Sequence, residues 1–325
     1  VTADLLGDCL VLQTTTAGTV RGKGRLAGLL AEASGAARVC ERNDAAVRER
    51  EGLERTRGWL RGDPVEHVVI RENGLRYEVD PIRAMKTGHF LEQRENRRLA
   101  AERLAAGGPA GGRVLDLFCY TGGFALSAAR AGAREVLAID GSEEAIAAAS
   151  RNARLNGLAG KVSFRAQDGF EALRELARAG EGFDLVILDP PAFAKDKAHL
   201  DAALHAYRDV NRLALSLLPP GGRLLTCSCS YPVTTGDFRI VLLHAAAEAG
   251  AVVRLAARGG AGPDHPAIVN VPETEYLKTF LLEVVERVAP DAVARLPRHR
   301  PSPRRRYGGA PRRPGRGSSP PAWKP

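Results

Sequence analysis

The rhythm of apolar and polar positions changes near residue 83, and that change divides the chain. Before it, apolar residues come in short clusters: Cys9-Leu10-Val11-Leu12-Gln13 reads as a strand and 24–33 as a short helix. Val68-Val69-Ile70 and Leu75-Arg76-Tyr77-Glu78-Val79 flank Asn73-Gly74, a pair that accepts the positive φ angles of a tight two-residue turn, so a hairpin is predicted. Beyond residue 83, apolar runs alternate with helical spacing. Strands are predicted at 113–117, 135–139, 162–165, 185–188, 222–226 and 279–285. Helices are predicted at 92–106 and near 124–131, 143–156, 169–179, 199–218 and 235–249. This alternation predicts an α/β fold with a doubly wound, mostly parallel sheet, which binds ligands at the carboxyl ends of its strands. Residues 1–82 then form a small α+β domain, 83–288 the α/β domain, and 289–325 a tail. No internal repeat is visible.

Composition changes this picture in one place. Of the 47 basic residues, nine Arg and one Lys lie from Arg295 onward, where there is no acidic residue. The rest of the chain holds 37 basic against 38 acidic residues, so the formal charge of +9 resides in the tail. The tail is rich in Arg, Pro, Gly and Ser and has little to pack, so disorder is expected, with nonspecific phosphate contact as its functional reading. With 44% hydrophobic residues the remainder is expected to bury a core. No apolar stretch reaches the roughly 18 residues of a membrane span, and no signal segment opens the chain; a soluble, cytoplasmic protein is expected. The five cysteines, at 9, 40, 119, 227 and 229, make no CxxC pair and no zinc spacing, so neither a metal nor a disulfide framework is expected.

Candidate chemistry sits at the predicted strand ends. After the first strand of the larger domain, Asp116-Leu117-Phe118-Cys119-Tyr120-Thr121-Gly122-Gly123 turns into a helix, where missing side chains let a ligand approach the backbone. Asp140 ends the next strand, placed to accept hydrogen bonds from ribose hydroxyls. The G-x-G-x-x-G of dinucleotide enzymes is absent, which argues against NAD. Asp116 suits a cationic amino acid better than a pyrophosphate, because a carboxylate attracts an ammonium and repels phosphate. Asp168-Gly169 follows the third strand; Asp168 is either an acceptor for an adenine amine or a helix N-cap. These features point to an S-adenosylmethionine crevice formed by Asp116, Tyr120, Thr121, Gly122, Asp140 and Asp168.

The fourth strand runs into Asp189-Pro190-Pro191-Ala192-Phe193. Two prolines fix the backbone so that Asp189, a candidate cofactor contact as well, and nearby carbonyls face the crevice, and Phe193 is placed to stack on a flipped base, a contact worth roughly 1–3 kcal/mol. The competing reading makes Phe193 core. The fifth strand ends in Cys227-Ser228-Cys229-Ser230; residues i and i+2 share a face, with Cys229 nearer the open end. Cytosine carbon 5 is a weak nucleophile until a thiolate adds at carbon 6, so Cys229 is the candidate nucleophile and Asp189 the group facing the ring nitrogen. Cys227 is expected to be core.

These residues resemble the bacterial 23S ribosomal RNA cytosine-C5 methyltransferases of the RlmI type, within the class I S-adenosylmethionine-dependent fold. The likeness runs from about Leu10 to Val285. It includes Glu41-Arg42-Asn43-Asp44, Val47-Arg48, Glu51-Gly52-Leu53, Lys86-Thr87-Gly88-His89-Phe90-Leu91-Glu92-Gln93-Arg94, Asp264-His265-Pro266 and Tyr276-Leu277-Lys278. It implies that Phe90, Gln93 and Arg94 help enclose the cofactor, that Cys229 is the nucleophile, and that large-subunit ribosomal RNA is the partner. Family members begin with an RNA-binding PUA domain and a first strand of the middle domain; both are expected to be absent before Leu5, and Val1 in place of Met fits either a miscalled start or a fragment. The alternatives are a guanine or amino-group ribosomal RNA methyltransferase that needs no thiol, and a noncatalytic RNA-binding remnant. The sequence leaves the oligomeric state open, homodimer included.

Overall fold

The computed structural model describes residues 1–85, 87–107 and 111–288; Lys86 and the tail from residue 289 lie outside the described residues. The chain opens with β1 (Thr2–Leu6) and β2 (Cys9–Gln13), followed by helices α1 (Ala17–Arg21) and α2 (Lys23–Ser34), then β3 (Arg38–Asn43) and β4 (Thr56–Arg61). The four strands form one sheet in the order β1-β2-β3-β4. A strand is therefore present at the start of the chain, where none was expected before Leu5, and it pairs antiparallel with β2 from Thr2 opposite Gln13 to Leu6 opposite Cys9. The predicted hairpin is β5 (Val68–Glu72) and β6 (Leu75–Val79), with Asn73 at φ 48° and Gly74 at φ 75° in its turn.

The larger unit follows: α3 (Arg94–Gly107), β7 (Arg113–Leu117), α4 (Gly123–Arg130), β8 (Glu135–Asp140), α5 (Glu143–Leu155) and β9 (Val162–Ala166). It continues with α6 (Gly169–Arg178), β10 (Leu185–Leu188), α7 (Leu200–Ser216), β11 (Arg223–Ser228), α8 (Thr235–Glu248), β12 (Ala251–Gly259) and β13 (Lys278–Arg287). The sheet order is β12-β13-β11-β10-β7-β8-β9, with β13 antiparallel to both neighbours and the other pairs parallel. Apolar residues of α6, α7 and α8 cover one face, and those of α3, α4 and α5 the other, so both faces are closed as a doubly wound sheet requires. The second of these clusters also takes in Leu6, Val11 and Cys40 of the small sheet and Ile70 and Tyr77 of the hairpin, so one core runs from the N-terminal strands into the larger sheet.

Strands β3, β4 and β12 are not evident from the hydrophobic pattern, and each has a local reason. β3 ends on Glu41-Arg42-Asn43, which reads as surface but is buried and mutually satisfied. Lys23 Nζ and Asn43 Nδ2 each donate to Glu41 Oε2 at 2.6 Å, Arg42 Nη1 donates to the Pro81 carbonyl at 3.3 Å, and Asn43 Oδ1 accepts from Thr14 N at 2.7 Å. β4 has no buried residue and is interrupted by Gly58, so no apolar alternation marks it. β12 is an edge strand with register shifts at Val252/Val253 and Leu255/Ala257, which spoil the two-residue alternation. Among the described residues no helix is long and apolar enough to cross a membrane, and no group of three or more His, Cys, Asp or Glu side chains is arranged to hold a metal ion.

A buried ion pair fastens the hairpin to the larger unit. Arg97 of α3 donates from Nε to Glu72 Oε1 at 2.6 Å and from Nη2 to Glu72 Oε2 at 2.7 Å, a two-pronged geometry suited to a planar guanidinium. The same Nη2 donates to the Phe90 carbonyl at 2.8 Å, and His89 Nε2 lies 3.2 Å from Glu72 Oε2. Burial opposes charge on Glu72, but the hydrogen bonds and charges of His89 and Arg97 prevail and hold its carboxyl down at about 2. Burial pushes His89 the other way, below its ordinary value. Asn152 of α5 makes a second tie, its Oδ1 accepting from Glu78 N at 2.8 Å and its Nδ2 donating to the Thr121 carbonyl at 3.1 Å.

Because Glu72 is depressed from 4.5 to about 2, its contribution to stability, about 3 kcal/mol, is fully present above its unfolded-state value and is lost as pH falls through its folded one. Urea unfolding should therefore show stability declining steeply from about pH 4.5 towards about pH 2. Glu72→Gln should lower the neutral-pH plateau by about 3–5 kcal/mol, since it strands a buried guanidinium, and flatten that acid limb. Parallel pH profiles for the two proteins would contradict the assignment.

Candidate active site

Strand register brings the candidate residues together. Leu188 of β10 lies opposite Leu117 of β7 on one side and Thr226 of β11 on the other. The segments that leave these three strands therefore emerge side by side at their carboxyl ends. They are the turn from Phe118 to Gly122, the Asp189-Pro190-Pro191 segment, and the Cys227 to Ser230 segment.

The turn is conformationally demanding. Phe118, Tyr120 and Gly122 have φ of 63°, 48° and 85°. Gly122 tolerates this, but for Phe118 and Tyr120 the left-handed region costs on the order of 1–3 kcal/mol each, so the surroundings must enforce it. They do so with Cys119 N donating to the Ile139 carbonyl at 3.1 Å, Gly122 N to the Cys119 carbonyl at 2.9 Å, and Tyr120 N to Asp140 Oδ2 at 2.9 Å. Asp140 Oδ1 accepts from Ser142 N at 2.9 Å. Gly122 is also tight: a Cβ there would lie 3.2 Å from that of Ala149.

Asp116, beneath the turn, is fully buried. Its Oδ2 accepts from Ala125 N at 2.8 Å, while Oδ1 has no hydrogen-bond partner. Burial first, and then the charges of Asp189 and Asp140, push its carboxyl well above the usual range. A cation arriving beside it would reverse that effect and supply the missing partner, so the buried oxygen fits the sulfonium and ammonium of S-adenosylmethionine. Phe90 packs edge-on against Tyr120, ring centroids 5.2 Å apart, and the Tyr120 hydroxyl donates to the Met85 carbonyl at 3.4 Å. Thr121 is buried with its carbonyl held by Asn152. Asp168 is an N-cap, its Oδ1 accepting from Phe170 N and Glu171 N at 2.9 and 3.0 Å.

The segment expected from the resemblance divides in two. Gln93 points to the strand ends, donating from Nε2 to Asp189 Oδ1 at 2.7 Å, and its Oε1 accepts from Asn96 Nδ2 at 2.6 Å. Asn96 Nδ2 also donates to the Gly260 carbonyl at 2.9 Å. Arg94, expected beside the cofactor, instead has its guanidinium on Asp264, with Nη1 donating to Oδ2 at 3.1 Å. Asp264 belongs to one of the quoted family segments, and this pair ties the segment to the start of α3.

Pro190 is buried and Pro191 exposed. Phe193 is half-buried, with ring centroids 4.6 Å from Tyr207 and 5.7 Å from Phe170, so the core reading describes its packed side and leaves the remainder accessible. Ser230 ties this segment to the thiol segment: its Oγ accepts from Ala194 N at 3.1 Å and lies 2.9 Å from the Tyr207 hydroxyl. Cys227 is wholly buried, 3.3 Å from Thr279 Oγ1, and burial pushes its thiol well up, as expected of a core residue. Cys229 is half-buried at the mouth, with Sγ 3.8 Å from the Pro190 carbonyl. Sequence reasoning gave no role to Glu72, Asn96, Arg97, Ser230 or Lys278. Of these, Lys278 had a visible signal, a lysine opening an apolar strand.

A family model described as S-adenosylmethionine-dependent methyltransferase matches residues 25–282. The chain is 40% identical over 287 residues to ribosomal RNA large subunit methyltransferase I of Erwinia tasmaniensis, an alignment covering 88% of this chain and 71% of that protein. The protein of the same name from Photobacterium profundum is 41% identical over 282 residues, covering 86% and 70%. Among solved structures, a Streptococcus mutans protein described as a SAM-dependent methyltransferase has a TM-score of 0.72 and 22% identity, covering 87% of this chain and 70% of that one; it speaks for the fold.

Asp140→Ala removes a carboxylate that holds the turn, so calorimetry should show S-adenosylmethionine affinity weakened at least about tenfold, or about 1.4 kcal/mol. Unchanged affinity would mean that the turn, and not this side chain, carries the nucleoside contact.

Proposed function

Because the chain belongs to the S-adenosylmethionine-dependent methyltransferases, we propose that it methylates carbon 5 of a cytosine in large-subunit ribosomal RNA, with Cys229 as the covalent nucleophile. The observation that carries this reading is that Cys229, only partly buried at the strand ends, has its sulfur 3.8 Å from the carbonyl of Pro190 in the Asp-Pro-Pro segment. The large-subunit substrate comes from the names of the relatives at about 40% identity, and such a substrate implies the cytoplasm. A guanine or amino-group methyltransferase has no use for a thiol at this position.

In this reading the bound cofactor supplies an electrophilic methyl group on a sulfonium. When it is bound, Asp116 would face its positive charge and Asp140 its ribose, and Phe90, Tyr120, Thr121 and Gly122 would shape the walls. A cytosine turned out of its stack lies against the accessible part of Phe193 and along the Pro190-Pro191 segment. The Cys229 thiolate adds to carbon 6, and the ring becomes an enamine whose carbon 5 is nucleophilic. Asp189, its position fixed by Gln93 Nε2 at 2.7 Å, acts as the acid: its carboxyl gives a proton to the ring nitrogen on which charge collects and takes it back when the adduct breaks down. Once carbon 5 carries the methyl group, a base takes its proton, the sulfur–carbon 6 bond breaks, and the thiolate is regenerated. We assign residues 83–288 to this chemistry, and 1–82 to RNA contact and to support of the crevice through the shared core.

Cys229→Ala should abolish tritium-methyl transfer to ribosomal RNA, by at least about a thousandfold, while calorimetric binding of S-adenosylmethionine is kept. Cys227→Ala should retain turnover. Unchanged turnover by Cys229→Ala would overturn the covalent route and favour amino-group or guanine methylation, and absence of saturable cofactor binding by the wild type would favour a noncatalytic RNA binder.

A further inference from the structure

Lys278 is the first residue of β13 and lies opposite Ser228 of β11, one residue short of the thiol. It is only 5% exposed. Its Nζ donates to the carbonyl oxygens of Ser230 and Tyr276, each at 2.7 Å. Both acceptors are neutral, and among the described residues no carboxylate forms an ion pair with this ammonium. A buried positive charge held only by carbonyls is costly unless an anion forms nearby. The acceptor in Ser230 belongs to the residue that follows Cys229, so the charge is anchored on the thiol segment itself.

We propose that Lys278 is the positioning residue that holds Cys229 ready as a thiolate. The proton lost by the thiol goes to solvent, the ammonium stays on its two carbonyls, and the sulfur gains a positive neighbour that stabilises its anion. This inference rests on the reading of Cys229 as nucleophile.

Other groups couple electrostatically to this sulfur as well. Cys227, on the same strand, is kept neutral by burial. Tyr207 of α7 is raised by burial, and Tyr276, just before β13, is raised by burial and by Glu92. Asp189, beyond β10, is held by Gln93, and any negative charge on it opposes thiolate formation. Lys278 itself is lowered by burial to about 8, and charge on Cys229 and then Glu275 pulls it back up. Such coupling is mutual, so an ammonium that a thiolate stabilises also stabilises the thiolate.

The test is alkylation of Cys229 by iodoacetamide in the full chain, followed by mass spectrometry of its peptide from about pH 6 to about pH 10. The wild-type rate should rise with a midpoint below the ordinary thiol value of about 8.5. In Lys278→Met the midpoint should move up by about one pH unit, slowing alkylation at neutral pH about tenfold, and Lys278→Arg should restore it. A wild-type midpoint at or above about 8.5 overturns the proposal whether or not a variant folds. An unmoved midpoint in folded Lys278→Met overturns it too and leaves Lys278 as a tie between two carbonyls. Because no RNA is involved, this result is separate from the nucleophile's role. A low, Lys278-dependent midpoint together with methyl transfer by Cys229→Ala would retain the electrostatic effect and refute only the covalent reading.

Discussion

The structure depends first on the hydrogen-bond register of three central parallel strands. Leu117, Leu188 and Thr226 stand side by side, so whatever follows each must meet at one edge. Parallel pairing leaves little freedom here, because both faces of the sheet are buried and a slip of one residue would turn apolar side chains away from the helices that cover them. The strained turn, the paired prolines and the thiol lie far apart in sequence and become neighbours through this register alone. Antiparallel β13 then slots beside β11 and delivers Lys278 to the same edge.

A polar layer behind that edge holds it in shape. Asn96 orients Gln93, and Gln93 holds Asp189. Arg97 reaches from Glu72 of the hairpin to the carbonyl of Phe90, so the aromatic wall beside Tyr120 is set by the same ion pair that fastens the hairpin. Asn152 connects the hairpin to the turn. The small N-terminal part is thus mechanically continuous with the crevice, through buried polar contacts as well as the shared apolar core. Such networks are valuable only when their members are satisfied; Nδ1 of His89 and the buried Oδ1 of Asp116 are not, and the latter lies beneath the turn of the crevice.

Much of the fold was legible because alternating strands and helices announce themselves in apolar spacing. The crevice was legible because glycine, proline and acidic residues mark strand ends for backbone reasons. What escaped had the opposite character. β3 was hidden by Glu41, Arg42 and Asn43, charged or polar residues that are buried through pairing. The Glu72–Arg97 pair joins residues 25 positions apart whose partnership no local pattern reveals. The resemblance put Arg94 beside the cofactor, and its pairing with Asp264, 170 positions away, is one that no local pattern reveals. Asp168 offered two readings, and its bonds to Phe170 and Glu171 are those of a cap.

The central claim is that one sulfur forms a bond to a pyrimidine during turnover, and trapping tests it most directly. Large-subunit ribosomal RNA containing 5-fluorocytosine stalls such a reaction after methyl transfer, because carbon 5 then has no proton to lose. With S-adenosylmethionine present, the account predicts a denaturation-resistant protein–RNA adduct that peptide mass spectrometry maps to Cys229. No adduct, or an adduct on any other residue, would contradict it.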